Sequence, residues 1–274
     1  MEILHILGYL GALLIGLSLG LIGGGGSILA VPVLAYLFAV NEQVATAYSL
    51  FIVGSSSLLG GIKQHLKGFV QWKTAFLFGV PAIFSVTIVR HLLIPALPEN
   101  LFSVGDFVVT RRLAMFGLFA LLMIPAAISM LKTCKNEKVK SHLESPSFAQ
   151  LALLAFEGLV IGFITGFIGA GGGFLIIPAL VMLAKLEMKE AVGTSLIIIA
   201  LNSLVGFFLG DVFTIAIDWF FLIRFTALSY VGIFLGSYLG NFIDGKRLKK
   251  AFGYFIIVMA AFIFYMELVV KHSF

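Results

Sequence analysis

The stretch "GLIGGGGSILAVPVL", residues 20–34, places four consecutive glycines and a proline inside an otherwise apolar run. A similar stretch, "GFIGAGGGFLIIPAL", occupies residues 166–180. Glycine and proline are the residues least suited to a helix interior, so each stretch predicts a break in a helix. Because the two breaks resemble each other, they also predict an internal repeat.

The repeat extends beyond the glycines. Residues 20–60 align with residues 166–206 without a gap, and 16 of the 41 positions are identical. The identities include glycines of both breaks, Pro32 with Pro178, and Ser49 with Ser195. Apolar composition alone does not align such residues, so the pattern indicates a duplicated gene. We predict a first membrane repeat over residues 1–131, a cytoplasmic linker over 132–148 and a second membrane repeat over 149–274.

The composition is that of a membrane protein. The chain of 274 residues is 61% hydrophobic and only 11% charged, whereas an average soluble domain carries about 25% charged residues. Apolar runs of membrane-spanning length, about 20 residues, recur along nearly the whole sequence. The single cysteine, Cys134, excludes a disulfide framework and a multi-cysteine metal site. We therefore expect an all-α integral membrane protein with no metal and no cofactor.

The apolar blocks predict how the chain crosses the membrane. They cover residues 4–39, 44–60, 74–97, 112–131, 149–184, 191–209, 219–240 and 251–270. The first block of each half is too long for one ordinary span, so it is either one broken crossing or a helical hairpin. With hairpins and a cytoplasmic linker, 13 lysines and arginines lie inside and 3 outside, whereas single crossings give 8 on each side.

The positive-inside rule favours the hairpins, because cytoplasmic loops carry the excess of lysine and arginine. The net charge of +5 is then a mark of topology, and no nucleic-acid partner is expected. Each half becomes a glycine-broken helical hairpin plus three transmembrane helices, and it crosses an odd number of times. The second half is therefore inverted relative to the first. Inverted-topology repeats with broken helices are typical of secondary transporters.

The breaks themselves predict an anion site. A short helix begins after each break, near Ser27 and near Gly173, and its first N–H groups lack intrahelical partners and carry partial positive charge. Two such termini facing each other bind an anion without a lysine, and Ser27 is suited to the N-cap. The matching segments "ATAYSL" (45–50) and "AVGTSL" (191–196) add hydroxyl groups. The candidate substrate-binding residues are Gly24, Gly25, Gly26, Ser27, Tyr48, Ser49, Gly171, Gly172, Gly173, Thr194, Ser195 and Asn202, with Ser56, Ser57 and Ser203 farther along the same helices.

Structural alternatives stand beside these assignments. Small residues every fourth position let membrane helices pack closely. This spacing joins three series: Gly16, Gly20 and Gly24; Gly158, Gly162, Gly166 and Ala170; and Gly232, Gly236 and Gly240. For the glycines outside the breaks we prefer packing, and for the breaks we prefer a loop that faces a ligand. A serine in a membrane helix also often bonds its own i−4 carbonyl. The glycine-rich faces suit a homodimer as well as a bundle core.

Charged residues within the predicted spans offer further candidates. Glu157 falls midway along the helix that leads to the second break, which makes it a candidate proton carrier. The alternative is a protonated glutamate bonded to a neighbouring helix. Arg90 and Arg224 fall toward the outer ends of their spans. They either draw an anion inward or, as we prefer, extend to the lipid headgroups.

The two glycine motifs, with "AYSL" (47–50), "AVGTSL" and the tryptophans that follow them, resemble the TauE/SafE sulfite exporter family. The resemblance covers essentially the whole chain. It implies a multi-pass transporter in the inner (cytoplasmic) membrane, surrounded by lipid, for small sulfur-containing anions such as sulfite and sulfonates.

We therefore predict a secondary transporter that moves a small anion by alternating access, with proton coupling through Glu157 as one option. A passive anion channel of the same fold is the alternative. A membrane enzyme is disfavoured, because the sequence offers no clustered catalytic residues on one side of the bilayer.

Overall fold

The computed structural model describes residues 2–104, 107–131, 148–169 and 171–267. The predicted linker, apart from Phe148, and Ala170 lie outside these residues. The described chain is helical almost throughout. Its helices are α1 Glu2–Ile22, α2 Gly25–Pro32, α3 Glu42–Leu66, α4 Trp72–Ile88, α5 Ile94–Ala96, α6 Arg111–Leu131, α7 Phe148–Ile168, α8 Gly173–Met182, α9 Met188–Gly206, α10 Trp219–Leu239 and α11 Gly245–Tyr265.

Two irregular features interrupt this helical pattern. Three π-helical turns follow α2, α4 and α9, at Val33–Leu37, Val89–Leu93 and Phe207–Asp211. A two-stranded antiparallel sheet, β1 Asn100–Val104 and β2 Phe107–Thr110, lies in the connection between α5 and α6. No strand is predicted there from the apolar blocks of the sequence.

Polar side chains at the helix starts fix where several helices begin. The Asn41 side chain accepts a hydrogen bond from the Gln43 backbone N–H at 2.9 Å, at the start of α3. Asp218 does the same for Phe221 at 3.0 Å, at the start of α10. Each contact satisfies one of the N–H groups that a helix terminus leaves without an intrahelical partner.

Seven of the described helical segments are long and apolar enough to cross a membrane, which confirms the predicted class. They are 42–66, 72–96, 111–131, 151–168, 188–211, 219–239 and 245–265. The outer helices expose large apolar side chains, such as Phe84 on α4 and Phe156 on α7. In contrast, α3 and α9 are mostly buried. Apolar faces of this extent are stable in lipid, so the bundle is embedded in the membrane. Because α3 and α9 are mostly buried, they form the interior of this bundle.

The helices pair across the two halves of the chain: α1 packs most extensively on α10, α4 on α7, α3 on α9 and α6 on α11. Glycines allow the helices of the α1–α10 and α4–α7 pairs to approach each other closely. A methyl group on Gly16 of α1 would overlap the carbonyl oxygen of Ser229 on α10, and one on Gly162 of α7 would fall 2.5 Å from the carbonyl oxygen of Ala82 on α4. The predicted packing role of the glycines outside the breaks is confirmed at these contacts.

The chain reverses direction after the first break. Gly8, near the start of α1, lies against the Phe38 ring, whereas Gly26, at the start of α2, lies against Leu19 near the end of α1. These contacts make an antiparallel hairpin, as the charge pattern predicts. In the second half, α8 packs more on α9 than on α7. Its Phe174 ring meets Phe119 of α6 edge-on, with ring centroids 5.1 Å apart, which holds α8 toward α6.

The helix ends define two opposite faces. On the lysine face, the Lys67 ammonium donates to the Asn241 side chain at 2.6 Å, and the Gln71 amide donates to Glu190 at 2.9 Å. On the arginine face, Arg111 pairs with Glu42 at 3.0 Å. The lysine face joins residues 63–71, 188–194 and 234–245. Single crossings would separate residues 188–194 from Lys67, so this arrangement agrees with the hairpin alternative.

Candidate functional site

The two glycine breaks meet in the interior of the bundle. Gly24 is the N-cap of α2, and Gly172, with φ 71°, is the N-cap of α8. A methyl group on Gly173 would fall 2.6 Å from the Cα atom of Gly24, so the two backbones touch. The positive φ at Gly172 is a conformation that side-chain-bearing residues rarely adopt. The first turns of α2 and α8, each with N–H groups that lack intrahelical partners, therefore lie side by side.

Side chains of α3 and α9 reach the breaks from the bundle interior. A methyl group on Gly171 would fall 2.8 Å from the Ser203 hydroxyl of α9. A methyl group on Gly23 would fall 3.0 Å from the Ser195 hydroxyl. Gly54 lets α3 approach α9 next to Ser203. The α9 helix therefore presents a hydroxyl group to each break.

Several of these polar groups are buried without a partner among the described residues. The Ser49, Ser57 and Ser203 hydroxyls and both polar atoms of the Asn202 amide have none. Each residue is at most 2% exposed. Leaving a buried hydrogen-bonding group unpaired costs about 1–3 kcal/mol. The Ser203 hydroxyl lies against Gly171 of the second break, as do the side chains of Val53 and Ile199. Helical spacing places Ser49 and Ser57 on the same face of α3 as Val53, and Asn202 on the same face of α9 as Ile199. Unpaired groups on these two faces are suited to bind a ligand that supplies the missing acceptors.

Other hydroxyls of the candidate set are already engaged. Ser195 donates to the Val192 carbonyl at 3.0 Å, and Ser27 donates to the Gly24 carbonyl at 2.6 Å. The prediction that Ser27 is the N-cap of the short helix was wrong, because α2 begins at Gly25. Gly24 takes the N-cap conformation instead, and Ser27 lies within the first turn.

Gly25 and Gly26 lie on the α1 side of the first break. A methyl group on Gly25 would fall 3.2 Å from the Ser18 Cβ atom, and one on Gly26 would overlap Leu19. Their lack of a side chain therefore lets α2 pack closely on α1.

Tyr48 and Thr194 align with each other in the repeat, and each accepts a hydrogen bond from the opposite half of the chain. The Tyr48 hydroxyl accepts from the Asp218 backbone N–H at 2.7 Å, and the Thr194 hydroxyl accepts from the Gln71 backbone N–H at 3.0 Å. Gln71 precedes Trp72, which begins α4, and Asp218 precedes Trp219, which begins the equivalent helix α10. The two side chains thus hold equivalent turns on opposite faces of the bundle.

Arg90 is buried in the interior beside the second break. Only 1% of the residue is exposed, so the preferred prediction that Arg90 extends to the lipid headgroups was wrong. Its Nη1 atom donates to Asp211 Oδ1 at 3.3 Å and to Thr46 Oγ1 at 3.2 Å. Its Nη2 atom occupies the place where a methyl group on Gly169 would lie.

Irregular helical turns bring this ion pair together. Arg90 lies in the π-helical turn Val89–Leu93 and Asp211 in the π-helical turn Phe207–Asp211, and the two turns contact each other. Gly210 leaves the space that the Arg90 side chain fills, since a methyl group there would fall 2.6 Å from the Arg90 Cβ atom. Sequence reasoning missed Asp211, although an acidic residue at the end of an apolar span was a usable signal. π-Helical turns within helices are frequent at functional sites.

The other charged candidates lie away from the breaks. Arg224 is exposed, and its guanidinium lies over the Phe220 ring, 3.6 Å from the ring centroid. Glu157 is half-buried on α7, and its Oε2 atom has no partner in the described residues. The helical rise places it about 18 Å from Gly169.

A small cavity of about 30 Å³ approaches the first break from the lysine face. Gly20, Val192, Lys189 and Asn241 are among its lining residues, and Val192 also lies against Gly23. Burial lowers the pKa of the nearby Lys67 ammonium, and the charges of Lys63 and Lys189 act in the same direction. Lys63, Lys67 and Lys189 therefore lie close together near this cavity. Within residues 2–104, 107–131, 148–169 and 171–267, no group of three or more His, Cys, Asp or Glu side chains is placed to hold a metal ion.

Comparison with known proteins assigns the class. The sequence profile of the sulfite exporter TauE/SafE family matches residues 8–263. The chain belongs to this family. A "Probable membrane transporter protein" of Xylella fastidiosa (strain 9a5c) is 28% identical over 258 residues, which are 91% of each chain. The "Probable membrane transporter protein YunE" of Bacillus subtilis (strain 168) is 29% identical over 249 residues, 84% of this chain and 85% of YunE. No solved structure matches.

The TauE/SafE match confirms the resemblance that the glycine motifs predict. This family member is a multi-pass membrane protein, and its relatives are named as membrane transporters, which agrees with a role other than catalysis.

Proposed function

We propose that this TauE/SafE family member is a secondary transporter that moves a small sulfur oxyanion or organosulfur acid across the cytoplasmic membrane. The observation that carries the proposal is the junction of the two breaks. There, two helix N-termini meet beside the unpartnered Ser203 hydroxyl, and the unpartnered Asn202 amide is the preceding residue of the same helix. We place the substrate at this junction, with the lysine face toward the cytoplasm.

The chemistry of the junction suits an oxyanion. Sulfite and sulfonate oxygens accept hydrogen bonds and carry negative charge, whereas the N-termini of α2 and α8 offer N–H donors and partial positive charge. Hydroxyl and amide donors from α3 and α9 complete the set of donors. Such a site binds an anion through fixed dipoles, and the unfavourable burial of unpaired donors is relieved when the anion is bound.

The arrangement of the breaks supports alternating access. Gly23 of the first break lies against Val192 of α9, near the lysine face, and Gly169 of the second break lies against Thr46 of α3, near the arginine face. Val192 and Thr46 align with each other in the repeat, so each break closes against the equivalent helix of the other half. Opening the first contact exposes the junction to one side of the membrane, and opening the second exposes it to the other. Glu157 is our candidate for coupling this cycle to protons.

The test is anion counterflow in proteoliposomes that contain the purified full-length chain. With unlabelled sulfite inside, we expect transient accumulation of external radiolabelled sulfite, which a passive channel does not produce in the absence of a membrane potential. Ser203→Ala and Asn202→Leu should abolish most of this uptake without lowering the melting temperature, because neither removed group has a partner.

Ser56→Ala is the matched control, since the Ser56 hydroxyl is paired with the Ser229 hydroxyl at 2.9 Å. We expect this variant to lose about 1 kcal/mol of stability and to keep counterflow. Wild-type protein without counterflow of sulfite, thiosulfate or sulfoacetate refutes the proposed function. Normal counterflow in Ser203→Ala and Asn202→Leu refutes the proposed site.

A further inference from the structure

Of the three nitrogen atoms of the Arg90 guanidinium, one is hydrogen-bonded within the described residues. Its Nη1 atom makes both of the contacts with Asp211 and Thr46, whereas Nε and Nη2 are buried without a partner among the described residues. Arginine is always protonated in proteins, so two N–H-bearing atoms of a buried cation face the interior without an acceptor. A salt bridge that served stability alone would be expected to satisfy these donors.

The unused edge has the geometry of an oxyanion receptor. The Nε and Nη2 hydrogens point in parallel along one side of the guanidinium plane and match two oxygens of a carboxylate, sulfonate or phosphate. The Nη2 atom lies against Gly169, which begins the second break. Movement of that break therefore uncovers this edge.

The contact with Asp211 is weak for a buried ion pair. It is a single hydrogen bond of 3.3 Å, and the second carboxylate oxygen, Oδ2, has no partner among the described residues. Charge-assisted hydrogen bonds between guanidinium and carboxylate are usually about 2.7–2.9 Å long and often bidentate. Asp211 thus neutralises Arg90 without occupying the edge that binds two oxygens at once.

We propose that Arg90 binds the transported anion through its Nε and Nη2 atoms, and that the negative charge of the Asp211 carboxylate, held at Nη1, weakens this binding. The inference rests on the proposed function and adds a specific cation to a site otherwise built from dipoles. It also gives the second break a partner that the first break lacks: Gly169 faces Arg90, whereas the equivalent Gly23 faces Val192 and Ser195. The substrate is then held more firmly on the arginine side of the junction.

Isothermal titration of sulfite into the purified full-length chain tests this inference, with the melting temperature measured in parallel. Arg90→Gln should weaken sulfite binding by roughly 30-fold or more, as expected for loss of one partner of a buried charged contact. Asp211→Asn should tighten it by about fivefold or more, because the negative charge held at Nη1 is removed. Arg224→Gln makes the same charge change at an exposed site and should leave the dissociation constant unchanged.

The double variant Arg90→Gln/Asp211→Asn separates binding from folding, because it removes the ion pair without leaving a buried charge alone. We expect it to melt near the wild-type temperature and still fail to bind sulfite. Wild-type affinity in the double variant, or weaker binding in Asp211→Asn, overturns the role of Arg90 while the proposed function stands. If the wild-type chain itself binds neither sulfite nor sulfoacetate, the proposed function fails, and this inference fails with it.

Discussion

The contact between Gly24 and Gly173 allows a sharp test of whether closure of the junction matters for transport. In Gly173→Ala, the new methyl group falls 2.6 Å from the Gly24 Cα atom. Carbon atoms in contact prefer a separation of about 3.5–4.0 Å, so the two breaks must move apart by about 1 Å. The methyl group would also fall 2.7 Å from the Ile199 Cδ1 atom, which can rotate away, whereas the contact with Gly24 is made with backbone that cannot.

Insertion of a methyl group into a close contact costs about 1–3 kcal/mol. This penalty falls on the closed junction alone, because the breaks separate when it opens. A shift of that size changes the balance between closed and open states by roughly 5- to 150-fold. If each transport cycle passes through the closed junction, we expect the counterflow rate of Gly173→Ala to decrease roughly 5- to 150-fold relative to wild type.

The assay is initial-rate sulfite counterflow in proteoliposomes with equal amounts of folded protein. Gly117→Ala in α6 is the control, because a methyl group there meets no atom within 4 Å. We expect that control to transport at the wild-type rate and to gain about 0.5–1 kcal/mol of stability from the better helix former. A Gly173→Ala protein with counterflow equal to that of Gly117→Ala would show that the observed closure plays no part in transport.

Three further outcomes follow from the contacts. Tyr48→Phe removes the acceptor for the Asp218 N–H, so it should lower stability by about 0.5–1.5 kcal/mol in thermal unfolding and leave sulfite affinity unchanged; a loss of affinity would place Tyr48 at the substrate. Glu157→Gln should bind sulfite normally but lose accumulation driven by a pH gradient, and wild-type accumulation in this variant would eliminate Glu157 as the proton carrier. In a Cys134→Ser background, Lys67→Cys and Lys246→Cys should react with an impermeant thiol reagent from one side of the membrane and Glu99→Cys from the other; labelling of Lys67→Cys and Lys246→Cys from opposite sides contradicts the hairpin topology.

Much of the fold could be predicted from local features of the sequence. The length of each apolar run fixes whether it crosses a bilayer, and the small-residue spacing around Gly16 and Gly162 marks close helix packing. Both properties depend on neighbouring residues of the same helix. The same holds for the breaks, since a run of three or four glycines disfavours a helix by about 1 kcal/mol per glycine. The strands at residues 100–104 and 107–110 were missed, although Gly-Asp between two short runs rich in valine and phenylalanine is a usable hairpin signal in the sequence.

The site was predictable only in part. The sequence led to Asn202 and Ser49, and the structure buries both without partners among the described residues. It gave no means of telling Ser49 from Tyr48, whose hydroxyl holds a turn of the opposite half. Which hydroxyl is free and which is engaged depends on the helix packed against it, and that helix belongs to the other repeat.

The sequence by itself determined a membrane bundle of two related halves, each broken once by glycine, because span length, helix breaking and charge distribution are local properties. Only the tertiary structure decided that the breaks touch at Gly24 and Gly173, and that Arg90 is buried against Asp211, 121 positions away in the chain. The sequence does not determine whether an arginine near the end of a span lies in the bundle interior or at the lipid headgroups. Its burial follows from a π-helical turn, from the space at Gly210 and from a carboxylate supplied by the other half.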